Sequence, residues 1–282
     1  MTNTSNQTYK DLAIPYFREV FDDIDEVLTS LGIPYYLIGV SAVALELLKS
    51  NIMPSRGTKD IDFAIMISAV KQFEEVTDAL QSKGFNKVKA PWTMYHAHYK
   101  VAIDLLPFGE VEEKDTFNFS DRNIDLHVLG FKEVLSESVS IPIEDKFANI
   151  PPLHGMIILK LVAWSDRPDE RENDLSDIML IIKSHSDIAF DEILTHHFDT
   201  FPEDGYEPLL VSARVLVRKI APIISKSERL QTRILDVLQH NTENIEKSAI
   251  GEEWSRKNDW TVEYAVNILV HLKKGIEETM IK

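Results

Sequence analysis

Apolar residues recur at helical spacing from about Lys10 to Leu31, where Leu12, Ile14, Phe17, Val20, Phe21, Ile24 and Val27 form one stripe. Gly32 closes the segment, and the pattern predicts an amphipathic opening helix. A short apolar run, Tyr35 to Ile38, then reads as a buried strand entering Gly39-Val40-Ser41, and Ala42 to Lys49 reads as a helix. Asp60 to Ile67 predicts a strand, Val70 to Lys83 a helix ended by Gly84, and Phe85 to Val88 another strand. Met94 to Leu106 predicts a hairpin or one long bent strand, broken by Pro107 and Gly109. A further strand pair is expected around Ile124 to Val128 and Val139 to Ile143.

After Pro151-Pro152 the periodicity changes to that of helices, at roughly Leu153 to Ser165, Asn173 to Ser184, Tyr206 to Ser225, Glu228 to His240 and Thr261 to Lys282. The expected architecture is therefore an α/β (α+β) layer with a mixed sheet over residues 1–150, followed by a helical domain over 151–282. A chain of 282 residues with 44% hydrophobic content suits two ordinary domains.

Composition narrows the chemistry. The chain has no cysteine, which excludes disulfides, thiolate zinc sites and a cysteine nucleophile, and fits a reducing cytosol. The N-terminal stretch lacks a basic start and apolar core, and no apolar run spans a bilayer, so a cytoplasmic protein with no membrane partner is expected. A formal charge of −16, from 46 acidic and 30 basic residues, opposes broad non-specific binding to nucleic acid. It suits a cationic small molecule better.

The candidate chemistry lies in carboxylates. Asp60 and Asp62 are two apart on a strand and project from the same face. Like charges held so close persist most readily beside a cation or a proton, and paired carboxylates with phosphate oxygens are usual ligands of Mg²⁺. Asp104 sits in a second apolar strand, AIDLL, where an ionised side chain requires a partner. If the two strands are neighbours, three carboxylates converge. Gly39 precedes a helix N-terminus, whose free N–H groups and positive dipole end suit an anion, and Ser41 adds a hydroxyl. An ordinary glycine turn with a serine cap would look the same. His96 and His98, two apart with no third ligand signalled, read as surface or substrate-facing residues rather than a metal pair.

Three segments in this order, Leu37-Ile38-Gly39-Val40-Ser41-Ala42, Arg56 to Phe63 (RGTKDIDF) and Asp104 to Gly109 (DLLPFG), resemble the AbiEii toxin-type nucleotidyltransferases of the DNA polymerase β-like superfamily. Leu159 to Arg167 (LKLVAWSDR) and Asn173 to Ile178 (NDLSDI) resemble that family's lysine-arginine motif and its following acidic helix. The resemblance implies a nucleotidyltransferase domain in which Asp60 and Asp62 hold Mg²⁺ (or Mn²⁺) with a nucleoside triphosphate. It implies that Asp104 completes the site, with activation of the acceptor hydroxyl as a role open to it. It places Lys160, with Arg167, toward the nucleotide phosphates from the helical domain. Arg56 and Thr58 fix either the loop or the nucleotide, or only close the strand.

Lys160 and Arg167 share a face if their helix continues, or else are snorkelling cations beside Trp164. Asp174 and Asp177 are expected to orient one of these cations. The chain departs from the family at Val40, where many members carry a second small residue, and at Asn173-Asp174 in place of lysine-aspartate. The expected function is metal-dependent transfer of a nucleoside monophosphate from a triphosphate to an acceptor hydroxyl on an RNA 3′ end, a protein or a small molecule. A toxin role with an antitoxin partner is compatible with it. The alternative is a non-catalytic nucleotide-binding or protein-interaction module on the same fold.

Overall fold

The computed structural model describes residues 8–54, 58, 60–119, 124–202 and 205–280. Its contacts divide the chain into two units, Met1–Pro152 and Leu153–Lys282.

In the first unit, a 3₁₀ turn over Thr8–Leu12 precedes α1 (Phe17–Ser30). One continuous helix from Lys10 was expected, but Pro15 offers no N–H and disfavours helical backbone at Ile14. The chain instead turns through positive φ at Ala13 (54°) and Tyr16 (56°). The strands β1 (Tyr35–Ile38), β2 (Asp60–Ile67), β3 (Phe85–Lys87), β4 (Thr93–His96) and β5 (Val101–Gly109) form one five-stranded sheet of order β1-β2-β5-β4-β3. The β2/β5 pair is parallel and the other pairs are antiparallel. Helices α2 (Gly39–Lys49) and α3 (Val70–Ser82) flank β2 in sequence and pack against it. Ile61, Phe63, Ile65, Ile67, Ile103 and Leu105 are all buried on one face, whereas Asp60, Asp62, Ala102 and Asp104 on the other are exposed or half-buried. Apolar packing thus fixes the register, and the register fixes which carboxylates are neighbours.

Met94 to Leu106 resolves as the β4/β5 hairpin, and β5 runs on through Pro107 rather than breaking there. The reason is positional: β4 pairs with β5 only as far as Asp104, so among the described residues the missing N–H of Pro107 faces no strand on that side. The expected pairing of Ile124–Val128 with Val139–Ile143 is also corrected. Each belongs to its own hairpin, with β6 (Thr116–Phe119) paired to β7 (Ile124–His127) and β8 (Val139–Ile143) paired to β9 (Lys146–Ile150). A short helix, α4 (Phe131–Leu135), separates the two hairpins.

The second unit is helical: α5 (Leu153–Asp166), α6 (Glu172–Ile188), α7 (Phe190–His196), α8 (Pro208–Ile224), α9 (Glu228–Glu243), α10 (Ala249–Asn258) and α11 (Val262–Met280). Helix α8 begins at Pro208 rather than Tyr206, capped by Glu207, whose carboxylate accepts from Leu210 N at 2.8 Å. Helix α10 was not expected from the periodicity. Ser248 caps it by accepting from Gly251 N at 3.0 Å, and Trp254 anchors it by donating to Leu175 O at 2.9 Å.

His185 on α6 is 4% exposed and its Nδ1 is buried without a partner among the described residues. Burial first, then nearby Lys219, pushes its pKa down from 6.5 to about 4. The unfolded chain therefore takes up a proton that the folded chain refuses, so stability falls as pH drops from about 6.5 towards about 4. Urea midpoints should be lower at pH 5 than at pH 7, and His185→Phe should flatten that difference.

Candidate functional site

The face of the sheet that carries the carboxylates is built by strand pairing. Asp62 lies opposite Asp104 in the parallel β2/β5 register and opposite Ile38 in the antiparallel β1/β2 register. Asp60, one step along the same face, lies opposite Ala102. The tight pairing is therefore Asp62 with Asp104. Among the described residues, no group of three histidine, aspartate or glutamate side chains is gathered closely enough to hold a metal ion as the side chains stand.

Gly39 follows Ile38 and begins α2 with φ +67°. A Cβ at this position would stand 2.0 Å from Asp62 Oδ2, so the glycine backbone lies directly against that carboxylate. Two constraints meet here: L side chains rarely adopt this φ, and there is no room for one. The start of α2, with its unpaired N–H groups and positive dipole end, thus adjoins an acidic side chain. Ser41 is 1% exposed, and its Oγ is buried with no hydrogen-bond partner among the described residues. A buried hydroxyl without a partner calls for an explanation, and an absent polar ligand supplies one. Val40 between them is half-buried and does not belong to the core.

On the far side of Asp62, Asp104 Oδ1 accepts a hydrogen bond of 2.5 Å from Thr93 Oγ1 on β4. Thr58 Oγ1 donates to Asp60 O at 3.1 Å and accepts from Asp60 N at 3.3 Å, so its hydroxyl is engaged with the strand entry. Arg56 lies outside the described residues. The side chains offered by this face are oxygen donors, and the hard-oxygen preference of Mg²⁺ fits them. Anionic neighbours in register, a glycine closed against one of them and an unpartnered buried hydroxyl are the arrangement that a cation with a phosphate ligand would complete.

The helical unit holds the other candidates. Lys160 on α5 is 7% exposed, and its Nζ donates to Asp174 Oδ1 at 2.9 Å and to Asp177 Oδ2 at 2.7 Å, both on α6. Burial alone would lower its pKa, but the two carboxylates outweigh that and hold it above the ordinary lysine value. Removing one partner of a buried ion pair leaves charge uncompensated, so Lys160→Met is expected to destabilise the chain by about 3–5 kcal/mol in urea unfolding. Arg167 does not share a helical face with Lys160. Helix α5 ends at Asp166 because Arg167 precedes Pro168, and Arg167 has left helical geometry at φ −145°, ψ 70°. Its guanidinium is 3.6 Å from Glu170 on the surface.

His96 and His98 part company. His96 is buried, and its Nδ1 accepts from Tyr99 N at 3.1 Å, which leaves the proton on Nε2 to be donated to Lys83 O at 3.1 Å. Both nitrogens hold backbone. His98 is exposed beside Tyr16 and Tyr99.

Among the described residues, no helix is long and apolar enough to cross a membrane. No protein-family model matches the chain, and no match to a curated protein was found. Solved structures similar to it include the lincosamide antibiotic adenylyltransferase LnuA with lincomycin bound, at 15% identity and a TM-score of 0.37 over 58% of this chain and 95% of that one. An antigenic nucleotidyltransferase-like protein from Paracoccidioides brasiliensis is similar at 15% identity and a TM-score of 0.39, over 77% and 90% of the two chains. The cyclic dinucleotide synthase CdnE of Elizabethkingia meningoseptica, with GTP and Apcpp, is similar at 12% identity and a TM-score of 0.30, over 95% and 97%. None of these similarities establishes the AbiEii-type membership expected from the motifs.

Proposed function

We propose that this chain is a metal-dependent nucleotidyltransferase that moves a nucleoside monophosphate from a triphosphate to an acceptor hydroxyl, releasing pyrophosphate. The observation that carries the reading is the register that sets Asp62 beside Asp104, with Gly39 at the start of α2 closed against Asp62. Such transfer is catalysed mainly by positioning and by charge stabilisation, which a carboxylate pair on rigid strands is suited to provide. A bound Mg²⁺ would neutralise phosphate charge and polarise the oxygens of the reacting phosphoryl group. Asp60, Asp62 and Asp104 are the residues that would hold it. Gly39 and Ser41 at the start of α2 are placed in this reading to face the phosphates, and Asp104 to receive the acceptor's proton. Contact between Lys160 and phosphate would require an exchange of partners, since Asp174 and Asp177 already hold its ammonium.

Titration calorimetry with each of the four nucleoside triphosphates tests the reading, with and without Mg²⁺, beside an Asp60→Ala and Asp62→Ala double variant. Binding that needs both the metal and the carboxylates is expected. Equal binding by the folded double variant would overturn the site. The acceptor, whether an RNA 3′ end, a protein or a small molecule, then follows from transfer assays with labelled nucleotide. Toxicity with an antitoxin partner, as in AbiEii-type proteins, is tested separately by growth arrest on expression that Asp60→Ala relieves. A second reading, nucleotide binding without transfer, is favoured by Val40, a half-buried branched residue between Gly39 and Ser41 at the start of α2. Its signature is nucleotide binding with no pyrophosphate release in the presence of any acceptor.

A further inference from the structure

We infer that Thr93 is a positioning residue for the carboxylate site, holding Asp104 in the orientation in which it meets metal and acceptor. The inference rests on the proposed transferase reading and adds to it a residue that none of the sequence motifs contains. Thr93 is the first residue of β4 and lies directly opposite Asp104 in the antiparallel register, where side chains on one face come within reach of each other. Its Oγ1 donates to Asp104 Oδ1 at 2.5 Å, a short bond of the kind made between a hydroxyl and an ionised carboxylate.

The threonine is itself held on both sides. Thr93 N donates to Ala90 O at 3.2 Å, closing a turn through Pro91, and Leu105 N donates to Trp92 O at 2.8 Å. The Trp92 ring packs at 5.8 Å from that of Phe119 on β6. The hydroxyl therefore hangs from a braced strand end rather than a free loop, which is the condition for a supporting group to impose geometry. Nothing in the strand itself calls for a hydroxyl, since valine has the same branched shape and a comparable preference for strands. The carboxylate is what distinguishes threonine from valine here. Ligating carboxylates are commonly steadied by such outer hydrogen bonds, and their loss weakens metal affinity or activity by roughly 10–100-fold.

The test compares wild type, Thr93→Val, Thr93→Ser and Asp62→Ala. Mn²⁺ affinity is read by the paramagnetic resonance of the free ion, in the presence of a saturating non-hydrolysable ATP analogue, and transfer kinetics are measured alongside. Thr93→Val is expected to weaken Mn²⁺ binding by about tenfold or more and to lower kcat with little change in the KM for nucleotide, and Thr93→Ser to restore both to within about threefold. Wild-type Mn²⁺ affinity in Thr93→Val overturns the inference alone, provided Asp62→Ala abolishes binding. Mn²⁺ binding that survives in Asp62→Ala overturns the metal site itself and this inference with it. Equal losses in the valine and serine variants, or a fall in urea midpoint that accounts for the loss in valine, would assign Thr93 a packing role and overturn its role as a positioning residue.

Discussion

Asp62→Ala is expected to abolish pyrophosphate release, by at least about a thousandfold, while leaving the chain folded. The two halves of that expectation have different origins. Activity is lost because Asp62 stands at the junction of three elements: opposite Ile38 of β1, opposite Asp104 of β5, and against Gly39 at the start of α2. Stability is little changed because the residue is half-buried, and the contact it loses at the start of α2 is offset by relief of the repulsion from neighbouring carboxylates, so unfolding stability in urea should change by no more than about 1 kcal/mol. Steady-state release of pyrophosphate and urea unfolding on the same preparation check both. Full activity in a folded Asp62→Ala variant would sink the transferase reading.

Gly39→Ala is expected to act in the opposite proportion, damaging both fold and site. At φ +67° an alanine carries roughly 1–2 kcal/mol of backbone strain, and its Cβ at 2.0 Å from Asp62 Oδ2 forces the carboxylate aside. A displacement of about an ångström at a reacting centre is enough for a loss on the order of 100-fold. The expected result is a lower urea midpoint together with loss of Mg²⁺-dependent nucleotide binding. Combining Gly39→Ala with Asp62→Gly separates the two causes. If the clash contributes, the double variant is more stable than the sum of the single changes predicts, and only the φ strain remains. Strict additivity would mean that the carboxylate moves aside freely.

This glycine also illustrates what was legible in the sequence. Its position before a helix was visible, and so was the need for a residue without a side chain. Its closest neighbour was not visible, because the sequence suggested a glycine that clears the approach of an anion, while the folded chain shows that the side chain a Cβ would strike is Asp62. Asp60 and Asp62 could be assigned to one face from the period of a strand alone. Their relation to Asp104 depends on the register of two parallel strands separated by a helix and a hairpin, which no local pattern sets. Thr93 escaped notice for the same reason: it acquires meaning only when the residue across the hairpin is known. Other misses had signals at hand. Pro168 announces that α5 stops before Arg167, and Ser248 followed by Trp254 marks the start of α10. The β6/β7 hairpin is harder to read, since four-residue strands barely exceed the noise of alternation.

Pro107 has a consequence beyond its tolerance in β5. Among the described residues, the side of β5 away from β2 has no strand partner from Leu106 to Gly109, because β4 pairs only as far as Asp104. Pro107, Phe108 and Gly109 are buried and α4 packs against β5, so this edge is covered within the fold; exposed by local opening, it would be a template on which another chain, or a slipped copy of β4, could continue the sheet. Proline removes one donor from that template, and Gly109 N is already engaged with Glu112 Oε1 at 2.9 Å. The strand that carries Asp104 is thereby guarded against intermolecular pairing just past its carboxylate, by a missing donor as well as by burial, so a transient opening of this edge does not turn the sheet into a seed for an aggregate.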